Sequence, residues 1–374
     1  MMNSSGGKNP LELKIFLNHL EHNFLYFKSL LNSSTKIMVM VKADAYGCGA
    51  VEVSKKMEEL DADYLGVALT QEGVELREAG IKLPIMVITP LPEELPYLIK
   101  YQLEPEISSP DLLDHWLTVA DKKKEVPYGF HLKIDTGLHR LGVWENEMED
   151  LIERIKENQT VKILSVFSHL SSSPMEIHDS FTLGQFDRFE KWYEKIVNTL
   201  HFRPDRHILN SAGIFRFPEY QYEMVRLGVG LYGAGLEDLE ISSSLKPVQE
   251  LCTSIAQIKE IEAGEAVGYS RMEVASDRMK IAVLRAGYAD GISRRAGNRH
   301  FSVWIDGAVC PIIGNVCMDM MMADISDQPH ITLDSTAEIY GRNHPIHLLA
   351  EASDTIPYEI LTSNHRRARK IFLS

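Results

Sequence analysis

The sequence predicts an α/β protein in two parts: a (β/α)8 TIM-like barrel followed by a mostly β C-terminal domain. Between residues 36 and 228, short strand-like apolar runs recur with helical patterns mostly between them. Such alternation forces parallel pairing, because each strand must be carried back by a crossover before the next begins. After about residue 245 the texture changes, and apolar runs alternate directly with turn residues. Asp306-Gly307 separates two of these runs, a strong signal for a two-residue hairpin. An open doubly wound sheet is the structural alternative, but no G-x-G-x-x-G follows the first strand.

In order along the chain, residues 1–11 read as a flexible lead-in, 12–245 as the barrel and 246–374 as the β-rich domain. The first barrel strand is 36–41 (KIMVMV), a continuous apolar run of the kind a strand covered on both faces requires. Residues 50–60 (AVEVSKKMEEL) space their apolar side chains as a helix does. Further strand–helix pairs follow: 64–69 with 71–79, 84–89 with 93–101, and 103–107 with 110–120. Two more are 129–135 with 148–155 and 161–168 with 186–200, after which strands 207–210 and 222–228 complete the set. In the second part, strands are expected at 254–261, 280–286, 301–305 and 308–313, and a helix at 346–352. No internal repeat or low-complexity segment is present.

Composition narrows the class. With 374 residues the chain is long enough for two domains, and a formal net charge of −14 would repel DNA or an anionic membrane surface. Cys48, Cys252, Cys310 and Cys317 form no C-x-x-C pair and no metal spacing, so reduced thiols and no metal are expected. The opening MMNSSGGKNPLELK has no signal-like apolar stretch, and no run of about 18 apolar residues occurs, so the expectation is a cytoplasmic protein.

In a parallel barrel, chemistry collects at the C-terminal ends of the strands. Lys42 directly follows KIMVMV; Lys133 and Arg140 lie at or after the fifth strand and His169 ends the sixth. Asn210 and Ser211 end the seventh, and Arg226 with Gly228 ends the eighth. A lysine here can form a Schiff base with a carbonyl, serve as a point charge for phosphate, or simply be a solvated loop residue. The loop Lys42-Ala43-Asp44-Ala45-Tyr46-Gly47-Cys48-Gly49 favours a ligand role. Its glycines allow close backbone approach and Tyr46 offers a hydroxyl to an anion.

VKADAYGCGA, KIDTGLHRLGV, FSHL, LNSAG, VRLGVGLYG, VGYS, GYADG and GNVCMDM together resemble the motifs of the alanine racemase family, in order and at compatible spacings. The resemblance runs from about residue 12 to the C-terminus. It implies pyridoxal 5′-phosphate as cofactor, L- and D-alanine as substrates, a role in supplying D-alanine for peptidoglycan, and a homodimer with shared active sites. By position, Lys42 would hold the cofactor and act as one of two acid/base groups. Tyr46, Ser211 and the amides of Gly228 and Val229 would hold the phosphate, with Asn210 beside them. Arg226 would bond the pyridine nitrogen, supported by His169. Arg140 would contact the cofactor's phenolic oxygen and the substrate carboxylate, and Lys133, which the family often carbamylates, would orient it. Tyr269, from the partner subunit, would be the second acid/base group, with Met318 donating its backbone amide to the substrate. Tyr288, Cys317 and Asp319 would play supporting roles.

The chemistry agrees with these residue types. Racemisation removes a proton from one face of Cα and returns one to the other, so two groups on opposite faces are the simplest arrangement. Ionising a phenol of ordinary pKa near 10 at neutral pH costs about 4 kcal/mol, which a cation such as Arg140 or Arg271 would have to offset. Arg226 can only donate, so it needs an unprotonated pyridine nitrogen and weakens the ring as an electron sink.

Four departures from the family pattern stand out. Cys48 replaces the usual histidine, Asp44 replaces a frequent asparagine, Arg271-Met272-Glu273 follow VGYS, and Arg366 aligns with a phosphate-contacting tyrosine. Arg366 is therefore expected to contact the phosphate, because arginine suits phosphate recognition. Competing readings are a racemase of broad specificity or for serine or a basic amino acid, a barrel decarboxylase, and a non-catalytic cofactor carrier. Arg226 and the lack of a glycine-rich phosphate loop disfavour the decarboxylase. The β-domain motifs disfavour the carrier.

Overall fold

The computed structural model describes residues 10–123, 127–363 and 367–374. Strand β1 spans Leu11–Phe16. Eight strands then build one parallel sheet: β2 (Lys36–Met40), β3 (Tyr64–Val67), β4 (Ile85–Val87), β5 (Glu104–Ile107), β6 (Tyr128–Lys133), β7 (Val161–Phe167), β8 (Asp205–His207) and β9 (Met224–Leu227). Their order, β8-β7-β6-β5-β4-β3-β2-β9, brings the two ends of the sheet together. Across that seam the Arg226 N–H donates to Leu209 O at 3.0 Å. The runs of apolar sequence are what this arrangement needs, and all of Ile85–Val87 is buried.

Helices cover the barrel with one apolar stripe each. In Met148–Glu157, Met148, Leu151, Ile152 and Ile155 are buried, while its charged residues complete the opposite face. No helix among the described residues is long and apolar enough to cross a membrane.

The second unit is an eight-stranded, mostly antiparallel sheet. Its strands are β10 (Gln249–Ile261), β13 (Met279–Leu284), β14 (Ser302–Ile305), β15 (Ala308–Ile313), β16 (Met321–Asp324), β17 (Thr336–Tyr340), β18 (Arg369–Leu373) and β1. A separate ribbon pairs β11 (Ala266–Val267) with β12 (Glu273–Val274). The expected hairpin joins β14 to β15, with Ile305 opposite Ala308. Asp306 and Gly307 both have positive φ, 45° and 95°, as a turn matching the twist of its strands requires.

One boundary is corrected. Residues 11–16, read as the end of a lead-in and the start of the barrel, form a strand of the C-terminal sheet. β1 pairs antiparallel with β10 and parallel with β18. The alternation in LELKIF explains this: Leu11, Leu13 and Ile15 are buried, and Glu12 and Lys14 face the other way. Helix Leu17–Ser29 then leads back to the barrel, where Asn23 Nδ2 donates to Leu231 O and Lys246 O at 3.0 and 2.8 Å.

The β domain also braces the barrel mouth. Gln249 Nε2 donates to Tyr46 O at 2.7 Å, and Lys370 pairs with Asp44.

Candidate active site

A cavity of about 690 Å3 opens at the C-terminal ends of the barrel strands. It brings together Lys42, Tyr46, Lys133, Arg140, His169, Asn210, Ser211, Arg226, Gly228 and Val229, all singled out from sequence. Phe167 and Tyr358 line it as well and were not anticipated.

The loop that carries Lys42 is wound left-handed. Ala43, Asp44, Ala45 and Tyr46 all have φ between 51° and 54°. For L-residues this costs about 1–2 kcal/mol each, so neighbours must impose it. Glu72 Oε1 accepts from Ala43 N–H at 2.6 Å, and Asp44 Oδ1 accepts from Ala50 N–H at 2.8 Å. Cys48, at the family's usual histidine position, is buried and accepts from Gln249 Nε2 at 3.2 Å. Burial pushes its thiol up to about 12, so it stays protonated and packs. Lys42 itself is held below the usual lysine range, first by burial and then by the charges of Arg140 and Arg226. A lowered amine pKa favours the neutral nucleophile.

A notch for a small anion sits beside it. A Cβ placed on Gly228 would lie 3.2 Å from Tyr46 Oη and 3.8 Å from Ser211 Oγ, so only glycine leaves this space open. Ser211 Oγ accepts from the N–H groups of Gly228 and Gly230 at 3.0 and 3.2 Å. With both lone pairs engaged, its own hydrogen is left to donate. The Gly228 amide, expected at a phosphate, is thus directed at Ser211. Asn210 caps the following helix, its Oδ1 accepting from Gly213 N–H at 3.0 Å and from Ser173 Oγ at 2.8 Å. Tyr46 is buried against Tyr232, ring centroids 4.7 Å apart, and burial drives its phenol above its ordinary pKa. Its hydroxyl therefore remains a donor. Tyr358 lies 6.4 Å from the Tyr46 ring and is pushed up to about 12 by burial. These donors fit a phosphate, and with the Lys42 amine they fit the expected cofactor.

Arg226, only 5% exposed, is held from several sides. Its Nη1 donates to His207 Nδ1 at 2.7 Å, and its Nη2 donates to Ser168 O at 2.6 Å and His169 Nδ1 at 3.1 Å. Burial pushes the guanidinium down to about 9, so it is still charged at neutral pH. Because it can only donate, His207 Nδ1 must accept. His207 Nε2–H then donates to Ser165 Oγ (2.7 Å), Ser165 to His131 Nδ1 (2.6 Å), and His131 Nε2–H to Glu104 (2.9 Å). Both His207 and His169 are held well below the usual histidine range by burial and by the charge of Arg226. Neutral rings at both positions let each accept from the arginine. His169 thus lies in contact with Arg226, while His207, Ser165, His131 and Glu104, which complete the chain, were not singled out from the sequence.

Lys133 is buried, its Nζ 3.3 and 3.5 Å from the two oxygens of Glu106 and 5.4 Å from the Phe167 ring centroid. Arg140 is exposed at the rim, and its charge reaches Lys42, Lys133, Glu106 and His169.

Five predicted residues lie elsewhere. Tyr269 (67% exposed) and Met318 (53%) line a separate cavity of about 480 Å3 on the β domain. Tyr269 sits between β11 and β12, where Asn315 Nδ2 donates to its carbonyl at 2.9 Å. Cys317 and Asp319 line the same cavity, and Asp319 pairs with Arg367. Tyr288 is partly exposed in the adjacent turn, its N–H donating to Cys317 O at 2.9 Å. Arg366 lies outside the described residues.

Comparison with known proteins agrees with this geometry. Residues 15–235 match the family described as "Alanine racemase, N-terminal domain" and 248–372 match "Alanine racemase, C-terminal domain". An alanine racemase of Treponema denticola is 36% identical over 370 residues, covering 96% of this chain and 97% of the relative. The crystal structure of alanine racemase from D-cycloserine-producing Streptomyces lavendulae superposes with a TM-score of 0.92 at 28% identity, covering 98% of each chain. In fold alone, the chain also resembles alanine racemase from Bartonella henselae with covalently bound pyridoxal phosphate (TM-score 0.88, 24% identity, 97% of this chain and 99% of that one). Two domain matches in the expected order, a full-length relative above 30% identity and the cavity around Lys42 lead to one assignment: this chain belongs to the alanine racemase family.

Proposed function

We propose that the chain interconverts L- and D-alanine by a two-base mechanism, with Lys42 holding pyridoxal 5′-phosphate and Tyr269 of the partner subunit completing each site of a homodimer. The observation that carries this reading is one cavity holding a desolvated Lys42 amine, a fully oriented Arg226 guanidinium and the Tyr46–Ser211–Gly228 notch. When bound, the cofactor supplies an electron sink for the pair left behind at the substrate Cα.

The chain's own groups do the rest. Tyr46, Ser211 and the Val229 amide would hold the phosphate, with Gly228 keeping the space clear. Arg226 would donate to the pyridine nitrogen and keep it unprotonated, which restrains the sink and disfavours transamination. Arg140 and the Met318 amide would hold the substrate carboxylate. Lys42 Nζ would move a proton on one face of Cα, and Tyr269 Oη of the partner subunit on the other. The exposed Tyr269, Met272, Val274, Met318 and Met320 form an apolar surface of the sort that a second subunit covers. The physiological role would be a cytoplasmic supply of D-alanine for peptidoglycan.

The test is to incubate the purified protein with L-alanine in deuterated water and follow optical rotation and Cα exchange together. Racemisation with deuterium incorporation, at a rate well above that on serine or lysine, is expected. Loss of alanine to another product, or no exchange at all, would overturn the reading. Borohydride should also fix a yellow chromophore onto Lys42.

A further inference from the structure

Glu106 is the buried acid that nothing above has used. It lies on β5, its side chain 0% exposed, and both of its oxygens face Lys133 Nζ. Around this pair stand the guanidinium groups of Arg140 and Arg226, whose charges act on both partners. Glu106 is therefore the buried negative charge within a cluster of cations. Removing one partner of a buried ion pair of this sort leaves the other uncompensated.

That arrangement conflicts with a modified lysine. Carbamate formation joins a neutral amine nitrogen to the carbon of CO2; one C=O electron pair moves onto oxygen and one N–H proton leaves. Lys133 would have to give up the proton that Glu106 holds in place. The product would then set a second anion a few ångströms from a buried carboxylate, where like charges repel strongly. Burial pushes the Glu106 carboxyl up to about 7 and Lys133 below the usual lysine range, but the Lys133 contact and then the charges of Arg226 and Arg140 favour the carboxylate, so the proton rests on the ordinarily more basic lysine.

We infer that Glu106 takes the place of a carbamate: it holds Lys133 as an unmodified ammonium ion, and the pair positions Arg140 at the cavity rim. Glu106 is a positioning residue, because it acts through Lys133 and touches neither substrate nor cofactor. The part concerning Arg140 rests on the racemase reading above; the charge state of Lys133 does not.

The experiment uses 13C-bicarbonate and holoenzyme. After equilibration near pH 8, the wild-type chain should show no 13C carbamate resonance, whereas Glu106→Ala should gain one that disappears in Glu106→Ala/Lys133→Arg. In Glu106→Ala the KM for alanine should rise roughly tenfold without bicarbonate, the scale expected when a charged buried contact is lost, and fall back when bicarbonate is added. A purely structural defect would not be rescued by bicarbonate. A wild-type resonance that vanishes in Lys133→Arg would overturn the inference. So would a Glu106→Ala chain with no carbamate and an unchanged KM. The resonance needs no turnover, so failure of the racemase reading would leave this result separately readable.

Discussion

The barrel mouth and the Tyr269 face of the β domain differ in almost every physical respect. At the mouth, polar groups are buried and already bonded: Arg226 has acceptors for both terminal nitrogens, and Lys133 has Glu106. On the β-domain face, Tyr269, Met272 and Met318 stand exposed, and the main fixed contact of Tyr269 is through its backbone carbonyl. The first region is finished within one chain, while the second presents exposed apolar side chains. Under the proposed two-base reading, a site divided in this way would tie activity to association, with Lys42 oriented in the monomer and Tyr269 completed only by a partner.

The largest expected effect breaks or keeps that division. Lys42→Ala and Tyr269→Phe chains should each be nearly inactive alone, yet co-refolding equal amounts should restore about a quarter of the sites. Half of randomly formed dimers are mixed, and each mixed dimer has one intact site. Activity that stays at background would place both bases in one chain's site or deny the dimer.

A smaller effect sharpens the account of the finished half. Gly228→Ala puts a methyl group into the notch 3.2 Å from Tyr46 Oη. Cofactor should dissociate roughly tenfold faster, the scale of a lost charge-assisted hydrogen bond, as read by absorbance during dialysis. Unchanged retention would move the phosphate elsewhere.

The smallest effect concerns pH. Burial and the charges of Arg140 and Arg226 hold Lys42 below the usual lysine range, so its neutral amine appears at lower pH than for a free lysine. Removing one cation in Arg140→Ala should let that value rise. The pH midpoint for cofactor uptake by the apoprotein would then move upward, with less neutral amine at any given neutral pH. A downward or absent shift would show that Arg140 does not act on Lys42.

Much of this was legible in the chain. The barrel strands announced themselves as continuous β-branched runs, and the site residues fell at their C-terminal ends. What was missed has separate physical causes. β1 pairs with strands more than 230 residues away, so its period-two alternation had no local context. Glu104, Glu106, His131, Ser165 and His207 lie inside strands, where a lone polar residue resembles an ordinary solvent-facing position. Glu104 and Glu106 are two apart on β5, a spacing that puts both on one face of the strand and was the available clue. Tyr358 sits on the short helix Pro357–Thr362, where a single aromatic residue resembles an ordinary packing position.

The left-handed turn at Ala43–Tyr46 has a consequence for how the Lys42 loop keeps its shape. A short peptide of these residues, excised and free in water, would relax to the opposite hand, since nothing in its own stereochemistry favours the form it takes here. The geometry that aims the amine is written by Glu72, Gln249 and Lys370, which come from both halves of the molecule. Grafting VKADAYG onto another barrel would transplant the reactive group without the instructions for pointing it.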